Sequence, residues 1–380
     1  MLTRRKILIV GSGMAGLATA YHLREQTNLD VHILEQESMP CVHSSGRNAA
    51  IFRQFEYTRP LIELALRSRF LLDQLFQAHS HPWLMETGAV YLSRQHTSLK
   101  KLWQQCQHTS LEAVLLDAPE LRKRLKGTIT DDKQMGVYLP TDGVMDIHGI
   151  TAALLSRIKK SPIQMSFDCT VSRLTKKDSR VTGVELSDGR HIEGDAVVIA
   201  GGAWAENLGR SVGAPLPLTP LRRHLVWLSY QKRPLETGSP VLWCLDDEVY
   251  IRPEGSGYLA SPCDEEKHTP CIPPTEMDAL ASLEGKLRQL SPALAEGGVG
   301  RAWACLRTFA ADRDPVIGPD PRVKGLFWLA GLGGHGMTLG MAAGEILAAH
   351  IGGDQKSAYS VFLPSRLLPP PETVSSHAPA

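Results

Sequence analysis

The sequence predicts an α/β fold, α+β overall, in which a parallel sheet with flanking helices is interleaved with a second, mainly antiparallel sheet. Three observations carry this. Lys6 to Leu23 set a strand, a glycine turn and a helix in immediate succession. Ala196 to Ala200 and Gly325 to Ala330 are continuous apolar runs suited to strands buried on both faces. Between Pro215 and Pro315, short strand-like runs are broken by Pro and Gly.

In the opening unit Ile7 to Val10 form the strand, and Gly11-Ser12-Gly13-Met14-Ala15-Gly16 spells GxGxxG. Gly11 permits the tight turn, Gly13 lets backbone approach a pyrophosphate, and Gly16 lets the helix lie close to the strand with its N-terminus aimed at phosphates. Met14, Leu17, Ala18 and Tyr21 recur at helical spacing, which predicts one buried face. The next strand, Val31 to Leu34, ends at Glu35, where a Rossmann-like unit places the acid that holds ribose hydroxyls. A carboxylate there repels a 2′-phosphate.

Thr58 and Pro60 start a long helix through Leu75. Gly88 to Ser93 reads as a strand and Asp146 to Lys160 as a helix. Thr170 to Leu174 leads into the hairpin Val181 to Gly189, with its Asp-Gly turn, and Ala196 to Ala200 returns the chain to the first sheet. Leu225 to Leu228 and Glu248 to Ile251 belong to the second sheet, and the chain closes with a strand, the turn Gly331 to Gly336 and a helix through Met341 to His350. The division expected is a nucleotide-binding domain from 1–79, 144–214 and 316–363, a substrate domain from 80–143 and 215–315, and a flexible tail at 364–380.

Composition excludes some classes. Hydrophobic residues at 43% of 380 suffice for two cores, and Lys plus Arg total 41 against 40 for Asp plus Glu, which leaves no basic excess for nucleic acid. The basic residues Arg4, Arg5 and Lys6 precede an apolar run that the glycine motif interrupts, so the expectation is a first strand and not a signal peptide. No apolar stretch reaches the roughly 18 residues of a membrane span. Seven cysteines, 41, 106, 169, 244, 263, 271 and 305, are scattered without a CxxC pair, which fits a reducing compartment and gives no metal pattern. The expected location is the cytoplasm, with peripheral contact at the inner face of a membrane left open.

Several ordered motifs resemble the D-amino acid oxidase-like flavoproteins, the superfamily of glycine oxidase, sarcosine oxidase and bacterial D-amino acid dehydrogenases. They are GSGMAG with Glu35, HSSGRNAA at His43 to Ala50, GDAVVIAGGAWA at Gly194 to Ala205, DRDPVIG at Asp312 to Gly318, and GLGGHGMTLG at Gly331 to Gly340. Within the superfamily the likeness is nearest to D-arginine dehydrogenase-type enzymes, through PLRRH at 220–224, DDEVYIRPEGSGYLASP at 246–262 and WACLRTFAADRDPVIG at 303–318.

The resemblance implies FAD, held non-covalently, with a covalent link through Cys305 as the alternative. It implies Gly11, Gly13, Met14, Ala15, Gly16, Glu35 and Gln36 at the ADP half, and Ser44, Ser45, Gly46 and Arg47 near the pyrophosphate and flavin. Val171 is implied at the adenine, Gly201, Gly202 and Trp204 among the cofactor contacts, and Gly333, Gly334, Gly336, Met337 and Thr338 at the isoalloxazine. With a single dinucleotide motif in the chain, the electrons are expected from an organic substrate and not from NAD(P)H.

The implied chemistry is oxidation of a small amino acid, with oxygen or a quinone as electron acceptor. Arg223, Tyr250 and Arg307 match the family positions that grip a substrate carboxylate; Arg222 is the alternative to Arg223, since neighbours on a strand face opposite ways. His43 and His335 are candidate bases for the substrate ammonium, with water as the alternative. Trp227, Trp243 and Tyr258 are candidate pocket walls. The acid that reads a cationic substrate in D-arginine-type enzymes falls at Ala89, with Glu86 three residues away, which speaks against arginine. The rival expectations are a 2-hydroxy acid oxidoreductase and a flavin-binding protein without turnover.

Overall fold

The computed structural model describes residues 4–126, 128–129, 131–236, 238–353 and 359–369. Its first sheet has six strands in the order Val316–Pro319, Leu326–Ala330, Ala196–Ile199, Arg5–Val10, Leu29–Leu34, Gln164–Ser166. All neighbours pair in parallel except Val316–Pro319 with Leu326–Ala330. Alternation along the first strand decides the layering. Ile7 and Ile9 join the helices Met14–Leu23, Arg59–Phe76, Ile147–Lys159 and Gly336–Ile351 in one core, while Leu8 and Val10 pack on the opposite face against Val181 and Val184 of a three-stranded meander.

The helix Met14–Leu23 departs from the expected single buried face. It is enclosed nearly all round, Ala15, Gly16, Thr19 and Ala20 included, and packs on the sheet and on Gly336–Ile351. Gly344 allows that contact, because a Cβ there would lie 2.6 Å from the backbone of Ala18.

The second sheet has nine strands, antiparallel apart from Val241–Cys244 beside Ala89–Ser93. Its longest pair is Leu218–Ser229 with Gly298–Ala310, which sets Arg223 opposite Cys305 and Leu221 opposite Arg307. Arg59–Phe76 begins at Thr58 with Pro60 in the first turn, and Ile147–Lys159 is capped by Asp146, whose Oδ1 accepts from Gly149 N at 2.8 Å.

The expected tail differs in its first part. Pro364–Leu367 form a 3₁₀ turn, Pro364 is buried, Leu367 and Leu368 pack on the sheet, and Arg366 pairs with Asp312 at 2.7 Å. Residues 370–380 lie outside the described residues. No helix among the described residues is long and apolar enough to cross a membrane, and no group of three or more His, Cys, Asp or Glu there is placed to hold a metal.

Candidate active site

A cleft of about 340 Å³ opens where the C-terminal ends of the parallel strands meet the second sheet. Gly11 adopts φ +105°, and a Cβ there would sit 2.6 Å from the carbonyl oxygen of Ala200. The helix behind it starts at Gly13 without a side-chain cap, and Met14 N donates to Ser45 Oγ at 3.0 Å. Glu35 is buried beside this turn: its Oε2 accepts from Ser12 N at 2.6 Å and Ser12 Oγ at 2.7 Å, and its Oε1 from Glu37 N at 3.0 Å. A second helix, Gly336–Ile351, also starts uncapped at the cleft, from the far side. Two partly positive helix ends therefore face one elongated space.

Of the residues expected at a cofactor, Gly11, Gly13, Met14, Ala15, Glu35, Gln36, Ser44, Ser45, Arg47, Val171, Gly201, Gly202, Trp204, Gly333, Gly334, Gly336 and Met337 line the cleft. Gly16 and Gly46 do not. Both are packing positions, where a Cβ would come within 1.9 Å of Gly11 O and 2.3 Å of Cys41 O. Thr338 lines a smaller adjoining cavity instead. Thr308, which the sequence reading missed, is on the cleft wall with its Oγ1 buried and without a hydrogen-bond partner.

That adjoining cavity, of about 30 Å³, shares Asn48, Arg307, Gly334 and Met337 with the cleft and is also lined by Ile51, Arg53, Met145, Trp243, Tyr250 and His335. Arg307 is buried, and its Nη2 donates to Tyr250 Oη at 3.3 Å. It reaches the cavity past Gly334, where a Cβ would lie 2.6 Å from Arg307 Cδ; Gly334 also has φ +88°. Burial pushes the Tyr250 phenol up, against the pull of Arg307 and Arg223, so it stays protonated. Burial holds His335 down at about 4 despite Glu56 3.8 Å away, with Arg53 and Arg307 adding to the shift, so its imidazole is neutral.

Other expected residues lie elsewhere. Arg223 lines neither space; its Nε donates to Asp264 O and its Nη2 to Glu265 Oε1, each at 2.7 Å, because an acidic segment crosses beside its strand. Arg222 is held on Glu266 and Glu276. His43 lines the main cleft and not the small cavity; its Nε2 lies 2.8 Å from Glu37 Oε1 and its ring centroid 4.7 Å from that of Trp204. Of the three aromatic candidates only Trp243 lines the cavity. Tyr258 is core, bonded to Leu235, and Trp227 covers Gly257 and Gly300. Ala89 is buried in its strand and Glu86 pairs with Arg69. Cys305 is on the cleft wall, two residues from Arg307 on the same strand face, and burial pushes its thiol up.

Arg53 was also missed by the sequence reading. Its signal was a basic residue inside the apolar run Ile51-Phe52-Arg53-Gln54-Phe55, a pattern that marks a buried charge with a purpose.

The family described as DAO, FAD dependent oxidoreductase, matches residues 6–350. The chain belongs to that family. It is similar to the mitochondrial pyruvate dehydrogenase phosphatase regulatory subunit of Mus musculus, 26% identical over 360 residues that cover 90% of this chain and 41% of that protein. It is similar to mitochondrial sarcosine dehydrogenase of Mus musculus, 24% identical over 376 residues, covering 93% of this chain and 40% of that protein. The chain thus spans about two fifths of the length of these relatives. In fold it matches L-proline dehydrogenase from P. horikoshii with a TM-score of 0.85 at 20% identity, covering 96% of this chain and 98% of that one.

The FAD implied by membership in the DAO family fits the residues present. The glycine turn leaves no room for a side chain at Gly11, neither helix is capped by the side chain of its own N-cap residue, and the buried Thr308 Oγ1 on the cleft wall has no hydrogen-bond partner among the described residues.

Proposed function

We propose that this protein uses FAD to oxidise a small amino acid, of the D-amino acid, glycine or N-methyl amino acid type, at the carbon bearing its amine. The product is an imino acid that water hydrolyses to an oxo acid. The observation that carries the reading is Arg307, a buried guanidinium facing the small cavity without a carboxylate within 4.0 Å among the described residues. An unpaired buried charge costs several kcal/mol, and a substrate carboxylate offsets that cost.

Bound FAD supplies the acceptor for the two electrons and the hydrogen that leave the substrate carbon. Arg307 and Tyr250 hold the carboxylate, the phenol donating because it stays protonated. His335, neutral in the cavity, accepts a hydrogen bond from the substrate ammonium; with a pKa of about 4 it is too weak a base to keep the proton, which passes to water. The uncapped start of Gly336–Ile351 would offer its N–H groups to a bound isoalloxazine and would favour its reduced, more negative form. The electron acceptor in this reading is oxygen or a quinone-type compound. In this reading 1–79, 144–214 and 316–363 form the FAD-binding domain, and 80–143 and 215–315 the substrate domain.

The FAD is held without a covalent bond, because burial keeps Cys305 a thiol and the thiolate is the nucleophile. Acid precipitation checks this: the colour is expected in the supernatant, and a yellow pellet contradicts it. The reaction is tested by anaerobic bleaching of the purified protein with D- and L-amino acids, N-methylglycine and 2-hydroxy acids. Bleaching by hydroxy acids alone overturns the amine assignment. The 26% identity to a regulatory subunit favours a second reading, flavin binding without turnover, and the absence of bleaching by every compound supports it.

A further inference from the structure

The small cavity contains a second guanidinium that the carboxylate grip does not use. Arg53 is 5% exposed and lines it beside Trp243, Tyr250, Arg307 and His335. Its Nε and Nη2 donate to Glu56 at 3.1 and 2.7 Å, and its centre lies 4.7 Å from the Trp243 ring centroid. One edge of the fork is thus fixed on a carboxylate and its plane on an aromatic face. The remaining nitrogen, Nη1, has no hydrogen-bond acceptor among the described residues, yet it is not among the side-chain atoms sealed away without a partner.

Burying an arginine–glutamate pair carries a desolvation cost that apolar packing of the same volume avoids. Such a pair on the wall of a ligand cavity is accounted for when its open edge binds something. Glu56, fully enclosed, neutralises Arg53, whereas Arg307 has no carboxylate within 4.0 Å among the described residues. The two guanidinium groups therefore differ in kind. Arg307 needs an anion, and Arg53 offers oriented donors without an unbalanced charge. The space they share is about 30 Å³, room for roughly two water-sized groups beyond the cleft.

We infer that Arg53 is a second substrate anchor, and that the substrate is a short amine bearing two carboxylates, one held by Arg307 and Tyr250 and the other by Nη1 of Arg53. This rests on the amine oxidation proposed above and narrows its substrate class.

The test uses the holoenzyme and two matched pairs that differ by one carboxylate: N-methylglycine with iminodiacetate, and D-alanine with D-aspartate. Anaerobic flavin reduction is followed for each. In at least one pair the dicarboxylate is expected to have kcat/KM ~10-fold or more above its partner, the size of one charge-assisted hydrogen bond. Arg53→Lys loses the planar fork, so that ratio falls toward one. Glu56→Gln removes the counter-charge and leaves the fork, so the ratio rises. Malonate and acetate, titrated by their perturbation of the flavin spectrum, report the same preference without turnover, with malonate expected ~10-fold tighter. Monocarboxylates that reduce the flavin as well as dicarboxylates, or ratios that neither variant moves, overturn the second anchor and leave amine oxidation standing. If neither member of either pair bleaches the flavin, both readings fall.

Discussion

Arg307 and Tyr250 meet at 3.3 Å from different strands of the large sheet, and a protonated phenol and an unpaired guanidinium together form one donor surface at the end of the cleft. Among the described residues no carboxylate lies within 4.0 Å of Arg307 to occupy that surface. Arg307→Ala is therefore expected to keep its yellow colour, while kcat/KM for a carboxylate-bearing amine falls ~100-fold or more, the usual loss when one partner of a buried charged contact is removed. Normal reduction of the flavin in that variant shows that the anchor lies elsewhere.

Glu35 was expected to hold ribose hydroxyls, and the structure gives it a second duty. Three protein donors, Ser12 N, Ser12 Oγ and Glu37 N, already point at its oxygens. A carboxylate accepts about four hydrogen bonds, so one position stays open toward the cleft. Glu35→Gln is expected to weaken FAD binding ~10-fold. Glu35→Ala is expected also to lower the melting temperature of the apoprotein, since it strands the buried Ser12 N–H at a cost of ~1–3 kcal/mol. Equal melting temperatures for wild type and Glu35→Ala count against the structural role.

The opening strand, turn and helix were legible because their signals are local: glycine spacing, an apolar run and the acid at Glu35. The carboxylate grip was legible only in part. Arg223 and Arg307 look alike in sequence, and what separates them is Asp264-Glu265-Glu266 lying beside Arg222-Arg223-His224, a pairing across about 40 residues that no period announces. Tyr258 and Trp243 likewise differ only by strand order and register: Trp243 is opposite Tyr250 and faces the cavity, while the Tyr258 hydroxyl is bonded inside the core.

That acidic segment also closes the cleft. His224 holds both of its ends, with Nδ1 2.7 Å from Asp264 Oδ2 and Nε2 accepting from Glu276 N at 3.0 Å, and between them Cys271, Ile272 and Pro273 form part of the cleft wall. His224→Ala removes both ties, each ~1 kcal/mol or more. Faster release of FAD on dilution and new protease cleavage between 264 and 276 are expected. Unchanged FAD release, with cleavage confined to other loops, rules out a role for this clasp in retaining the cofactor.

Acid sensitivity follows from His22, packed between helices with its Nε2 buried and unpartnered. Burial lowers its pKa from 6.5 to about 4, with Arg24 and Arg67 adding to the shift and Glu345 opposing it. The unfolded chain therefore binds a proton below pH 6.5 that the folded chain refuses until about pH 4, so stability is lost as pH falls through that window. The full effect is ~3 kcal/mol, at 1.36 kcal/mol for each pH unit. Asp142 works the other way: burial raises its pKa from 3.8 to about 6, so its folded form takes up the proton first and gains stability as pH falls from 6 to 3.8. His22→Leu is accordingly expected to flatten the decline in urea stability between pH 7 and pH 4.5, and Asp142→Asn to steepen it. Parallel stability curves for wild type and His22→Leu across that range exclude His22 as the source of the acid loss.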